Sequence, residues 1–361
     1  MRRMVRLKLD ISKDAYQAPI ISVVVPCYNV GKTISGCLDS LLAQSFSNFE
    51  IICVDDGSTD DTKSVLKQYD STYPKIRVVH KANQGAWLAR LDGIRAARGE
   101  YIGFVDGDDI VSCTFLNDMY GAAENNNADI VVCGFRRIDA ENGEVLSEEY
   151  VTDRSDLDLS KDPGRMLEIN PAPWNKLFRS NLLSSLPAIE STPVMFDDLV
   201  LLLLSLLNVK RDVVFLPKAL VDYHVRSDSL INSVRPSQMA LAKASLIEVR
   251  RCYEENDLGC AMLDSLAAVA MVHLGISMPF RLLSSNEVTV GAEVESMLDF
   301  LDQEFPQWRS ASCLTWKYAF GHSNTLRRAY IASKVLKLGG MAAFLRVYRF
   351  AISVSHRDIK W

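Results

Sequence analysis

The stretch FVDGDDI, Phe104 to Ile110, sets three carboxylates within four residues directly behind an apolar run. EYIGFV (100–105) reads as a buried strand, so the acids stand at its carboxyl end. Like charges this close repel one another, and a positive charge belongs among them. In extended backbone, residues two apart point the same way, so Asp106 and Asp108 can face one ligand together. One or two carboxylates plus substrate phosphates are the usual holder of Mg2+, and Mn2+ behaves similarly. The stretch therefore predicts a divalent cation at the strand end, with Asp108 and Asp106 as ligands. A solvated loop or a helix cap is the rival explanation.

Outward from that strand, short β-branched or aromatic runs recur: IISVVV (20–25), FEIICV (49–54), KIRVV (75–79) and DIVVCGF (129–135). Segments of helical spacing separate them, with Asp60 and Ser112 as candidate helix caps. Alternation of this kind predicts an α/β fold: a mostly parallel open sheet, Rossmann-like, with helices on both faces. Ligands bind such sheets at the carboxyl ends of the strands. There the chain carries PCYN (26–29), DDGSTD (55–60), HKANQG (80–85) followed by a helix with Arg90, and DGDD (106–109). An aromatic ring can stack on a base and paired acids can hold a metal, so the edge suits a nucleoside diphosphate. Asp55 and Asp56 accept hydrogen bonds only, which fits the N3–H of uracil or thymine better than cytosine, while guanine also offers an N–H.

The 361 residues suffice for one large domain with an appendage, or for two. A net charge of −5 excludes the footprint of a nucleic-acid binder. Eight dispersed cysteines lack metal or redox spacing and read as buried hydrophobes of a reducing compartment. MRRMVRLKLD (1–10) has no apolar stretch behind it, and Leu258–Phe280 carries Asp264 and His273, so neither a signal peptide nor a membrane span is expected. The expected location is cytoplasmic, with any membrane contact made from the surface. From Thr325 to Trp361, eight Lys or Arg face one acid. VLKLGGMAAFLRVYRFAISV (335–354) suits a helix lying on the anionic inner face of the cell membrane, or one packed on a helical C-terminal bundle.

ISVVVPCYN, VDDGSTDDT, NQG…AR, ARGEYIGFVDGDD, PWNKLFR and FDDLVL occur in an order and at spacings that resemble family 2 glycosyltransferases. That resemblance implies a GT-A nucleotide-sugar domain over 18–232, followed by a helical region over 233–361. It implies an inverting enzyme, a nucleotide-sugar donor (a UDP-sugar above all), a divalent cation and a glycan or lipid-linked acceptor. Pro26 and Tyr28 would border the base, and Asp56, beside Asp55, would take its N3–H. Arg90 would approach the base or diphosphate, Asp106 the ribose or metal, and Asp108 the metal directly. The catalytic base falls in Asp197-Asp198, with Asp198 favoured, where the family often has Glu-Asp. A second carboxylate nearby would raise its pKa and improve it as a proton acceptor.

Other assignments leave alternatives open. Trp174 is a core aromatic or an acceptor-side platform. His224 is a structural histidine or a third metal ligand, and Arg226 with Ser229 could close over the diphosphate. LARLD (88–92) departs from the family's AARN, and Trp87 stands where small residues are usual. A sugar nucleotidyltransferase is the enzymatic rival, and a glycosyltransferase-like binding module without turnover the other.

Overall fold

The computed structural model describes residues 18–225, 236–257, 259–282, 290–341 and 343–345. Nine strands build one sheet: β1 (Ile21–Cys27), β2 (Phe49–Asp56), β3 (Ile76–Lys81), β4 (Tyr101–Phe104), β5 (Ile110–Val111), β6 (Ile130–Asp139), β7 (Val145–Glu149), β8 (Lys176–Arg179) and β9 (Val213–Val225). Their order is β3-β2-β1-β4-β8-β6-β9-β5, with β7 on β6. The first four run parallel, as βαβ connections require. β8 then lies antiparallel between β4 and β6, β6 and β9 pair in parallel, and β5 and β7 are antiparallel additions. The sheet is thus mixed beyond its parallel half. β6 runs on through polar residues to Asp139 and returns as β7 in a hairpin.

Helices cover both faces, and strand alternation decides which residue goes where. Val23 and Val25 of β1 pack with Ile34, Leu38 and Leu41 of α1 (Ile34–Leu42), Leu66 of α2 (Thr62–Thr72) and Phe115 and Met119 of α4 (Phe115–Asn125). Val24, pointing the other way, packs with Trp87 and Ile94 of α3 (Ala86–Ala96), Leu182 of α5 (Ser180–Ser184) and the leucines of α6 (Asp197–Leu206). Each such aliphatic side chain contributes about 1.5–3 kcal/mol on leaving water.

The C-terminal helices are α7 (Pro236–Glu255), α8 (Cys260–Ala270), α9 (Met278–Leu282), α10 (Val290–Glu304), α11 (Trp316–Gly321) and α12 (Asn324–Lys337). Their Leu246, Leu266, Leu301 and Leu336, with Met271 and Trp308 from the segments between them, share one core with Val24, Phe104 and α6. The expected boundary between 232 and 233 lies outside the described residues. α8 continues through a π-helical stretch, Met271–Ser277, into α9. The whole, Cys260–Arg281, is after all long and apolar enough to cross a membrane, which corrects the composition argument based on Asp264 and His273. More than half of it is buried inside the protein, where it acts as a core helix.

The ARGEY segment has a structural reason. Buried Glu50 of β2 accepts from Ser22 Oγ (2.7 Å), Arg98 N (3.0 Å) and Arg98 Nη2 (2.6 Å), locking the start of β4 beside β1 and β2. Burial would raise this carboxyl, but the Arg98 and Ser22 hydrogen bonds outweigh it and hold it below its ordinary value. Glu50→Ala strands those donors and is expected to lower stability by about 2 kcal/mol, read from urea unfolding at neutral pH.

Candidate active site

The strand-end loops are pinned to one another before they meet any ligand. Asn29, at φ 54°, donates its N–H to Ser58 Oγ (3.1 Å) and accepts from Thr59 N (2.8 Å). Asp60 accepts from Gly31 N and Thr62 N, both at 3.0 Å. Asp60 is therefore a crosslink between the loops after β1 and β2, one residue ahead of the helix-capping position it was expected to hold. Beside this crosslink Tyr28 leaves 49% of its surface in solvent, a ring held ready on a fixed loop, next to half-buried Pro26.

Asp55 and Asp56 are buried at the end of β2. Asp55 accepts from Ser58 N (3.0 Å) and pairs with His80 Nδ1 (2.9 Å). Burial acts to raise its carboxyl, and the Ser58 and His80 hydrogen bonds overcome that and lower it. Asp56 accepts from Gln84 N (2.9 Å) and Gly85 N (2.7 Å), holding the 80–85 loop. Each Asp56 oxygen keeps a second lone pair for a ligand. Gly57 must be glycine, because its φ is +71° and a Cβ would stand 2.6 Å from Asn83 N.

The centre of the edge is Arg90, buried on α3. Its Nη1 donates to Asp197 Oδ2 at 2.7 Å and lies 2.9 Å from Asp198 Oδ1, while Nη2 is 3.6 Å from Asp106 Oδ1. One guanidinium joins the strand-end acids to the acid pair that opens α6. Burial works against its charge, but Asp198, Asp197 and Asp106 together hold it well above the ordinary guanidinium value. Arg90, expected near a base or diphosphate, turns its Nη atoms to these carboxylates.

Burial pushes the Asp198 carboxyl up to about 7; Arg90 opposes this, while Asp197 and Asp106 add to it. The side chain is 36% exposed, so solvent moderates the push without reversing it. Its Oδ1 lies close to Arg90 yet makes no hydrogen bond to the described residues, which leaves it able to take a proton. Neither acid caps α6 through its side chain; the preceding Phe196 holds φ 63°, a strained left-handed conformation for a bulky residue.

Asp106 is raised by burial, resisted by Arg90 and raised further by Asp108 and Asp197. Among the described residues no three His, Cys, Asp or Glu side chains gather closely enough to cage an ion. The edge offers instead the Asp106–Asp108 pair, a donor set suited to a cation completed by phosphate oxygens. The third acid, Asp109, is fully buried and accepts the backbone N–H of His224 at 3.0 Å, tying β9 to the β4 loop. His224 Nδ1 is buried and makes no hydrogen bond to the described residues. Trp174 is buried, stacked on Tyr223 (5.0 Å, 8°) and edge-on to Phe135 (4.7 Å), so it sits in the core. Arg226 and Ser229 lie outside the described residues.

Three contributors were missed. Lys176 of PWNKLF is buried with its Nζ donating to Asn170 Oδ1, Ala172 O and Asn175 Oδ1; burial lowers it to about 7, against the pull of Cys133 and Asp198. The His273 ring meets Phe196 at 5.8 Å, behind the acid pair. Burial lowers the Arg281 guanidinium, while the charges of Tyr223 and Asp198 oppose that. On an α-helix, positions eight apart are rotated by about 80°. The wider turn of the π-helical stretch, Met271–Ser277, shifts the register between His273 and Arg281. Composition marks none of this, since a π turn has no sequence signature.

Residues 22–179 match the family model described as Glycosyl transferase family 2. Over that stretch the chain belongs to family 2 of the glycosyltransferases. It is 50% identical over 117 residues to the uncharacterized glycosyltransferase EpsJ of Bacillus subtilis, covering 32% of this chain and 34% of that one. It is 36% identical over 167 residues to a poly(ribitol-phosphate) beta-glucosyltransferase of Bacillus spizizenii, covering 45% of this chain and 25% of that protein. The chain thus spans well under half the length of these relatives. In fold it is similar to residues 1–349 of S. aureus TarS solved with UDP-GlcNAc, at TM-score 0.64 and 21% identity, covering 88% of this chain and 92% of that one. It is also similar to PcManGT of Pyrobaculum calidifontis, a mannosyltransferase solved with GDP-Man and Mn2+, at TM-score 0.52 and 19% identity, covering 89% and 88%. The family 2 domain therefore has the GT-A fold, with a helical C-terminal region beside it.

Proposed function

We propose that the chain transfers a sugar from a nucleotide-diphosphate donor, a UDP-sugar by preference, to a hydroxyl of a glycan or lipid-linked acceptor. The observation that carries this is the Arg90 junction, which sets Asp198 beside the acids of the β4 end. Tyr28 and Asp56 bind the base, and Asp108 with Asp106 would hold a divalent cation, Mn2+ or Mg2+. Bound there, the cation supplies Lewis-acid stabilisation of the leaving diphosphate. Asp198 accepts the acceptor hydroxyl's proton as that oxygen attacks the anomeric carbon, and the configuration inverts, as the family resemblance implies. Arg90 keeps Asp197 and Asp198 in place through an ion pair that a mobile lysine could not duplicate. The expected location is the cytoplasm.

A screen of UDP-sugars with Mn2+, reading UDP release and the anomeric coupling of any product by NMR, tests the reading. Release from one UDP-sugar with an inverted product supports it. Release from none, with UDP bound, makes the chain a binding module.

The pH dependence is specific. Asp198 must be ionised to act, so kcat/KM is expected to rise with pH through about 7 and then level off. Its native pKa lies above the unfolded value of about 3.9, so the native state binds the extra proton and stability falls as pH rises across that interval. Arg281→Ala removes a positive charge that acts on Asp198 and should move the kcat/KM midpoint up by a few tenths of a pH unit. An unmoved midpoint would exclude Arg281 from the site.

A further inference from the structure

α11 and α12 turn an aromatic and basic surface outward, remote in sequence from every motif used above. Trp316, 61% exposed, stacks on Phe320 with ring centroids 3.7 Å apart, and Tyr330 meets both rings at 6.0 and 6.2 Å. The Arg327 guanidinium lies over Phe320 at 5.5 Å, and Lys334 Nζ over Tyr330 at 5.1 Å. α12 buries Leu326, Ala329, Ala332, Ser333 and Leu336 on its inner side. Its outer side carries Arg327, Ile331, Lys334 and, just past the helix, Leu338, spaced at i, i+4, i+7 and i+11. Ile331 is 52% exposed and Leu338 85%. From Phe305 to Leu345 the chain has six Lys or Arg and no Asp or Glu.

Apolar rings this exposed, interleaved with cations and free of acids, are poorly matched to water and to a neutral partner. Aromatic side chains settle at the depth of lipid headgroups, and Lys and Arg are drawn to anionic ones. We propose that the α11–α12 face docks the protein on an anionic lipid surface, with Trp316 and Phe320 at headgroup depth and Lys317, Arg328 and Lys334, all three exposed, above the headgroup phosphates. The surface lies ahead of residues 346–361 and stands independently of the transfer reaction.

Co-sedimentation of the full chain with vesicles of phosphatidylcholine alone, or mixed with phosphatidylglycerol, tests this at two salt concentrations. Binding is expected to the mixed vesicles only and to weaken with salt. A Trp316→Ser, Phe320→Ser double variant and an Arg328→Glu, Lys334→Glu double variant should each lose at least about tenfold in binding. Unchanged UDP affinity and Tm in the variants show that the fold survives. No binding by the full chain, equal binding to both vesicles, or undiminished binding by the variants overturns the proposal. So does a variant that binds normally but falls to a lower mass by light scattering, which would make the face a contact between copies.

Discussion

Asp198→Asn is expected to lower kcat for sugar transfer by about 10³-fold while leaving UDP affinity within about twofold of the unaltered protein. A positioned general base contributes about 10²–10⁴-fold, and the amide cannot accept the proton. The substitution keeps the side chain's size, so packing at the head of α6 is undisturbed. It also removes one negative charge beside Arg90, Asp197 and Asp106, so stability should be kept or slightly raised. The separation of effects is the point. A loss of transfer together with UDP affinity would place Asp198 in donor binding rather than in the chemistry. Asp197→Asn, which takes the negative charge from the carboxylate that accepts the Arg90 hydrogen bond, should cost less in kcat and more in stability.

Arg90→Leu attacks both, and its effect should depend on pH. With the guanidinium gone, Asp106, Asp197 and Asp198 face one another without a counter-charge. Breaking a buried ion pair from one side costs about 3–5 kcal/mol. These carboxylates are a quarter to a third exposed, so a loss near 2–3 kcal/mol is the expectation at pH 8. Without Arg90 the Asp106 and Asp198 carboxyls, already raised, rise further, and protonation then relieves the repulsion. Stability of the variant should therefore fall as pH rises, and its deficit at pH 6 should be smaller than at pH 8. Urea unfolding at the two pH values reads this directly. A deficit independent of pH would mean that lost packing outweighs charge. Transfer activity should be absent at either pH, because the acid pair is no longer held to the sheet edge.

The parallel half of the sheet was legible because each of its strands is a short β-branched run followed by a polar edge. β8 was not, since PWNKLFR reads as a motif, and only the sheet shows KLFR pairing antiparallel with both β4 and β6. The acid clusters were legible as a set, but their division of labour was not. Asp109 and Asp108 are neighbours of one type, yet Asp109 is fully buried and bolts β9 in place while Asp108 is only half-buried. Asp60 read as a cap, and the crosslink to Gly31 depends on a loop 29 residues away. The link from Arg90 to Asp197 spans 107 residues and has no local signature. Arg281 and His273 reach the site from a helix whose register is shifted by a π turn. Distance along the chain, more than chemistry, hid these contacts.

UDP binding by isothermal titration calorimetry, with and without Mn2+, on the intact protein and on Asp108→Ala, tests the central claim most directly. The expected result is binding that strengthens at least about tenfold with Mn2+ in the intact protein and loses that gain in Asp108→Ala. UDP that fails to bind, or binds equally with no metal and with Asp108 replaced, would contradict a metal-bridged diphosphate at the end of β4.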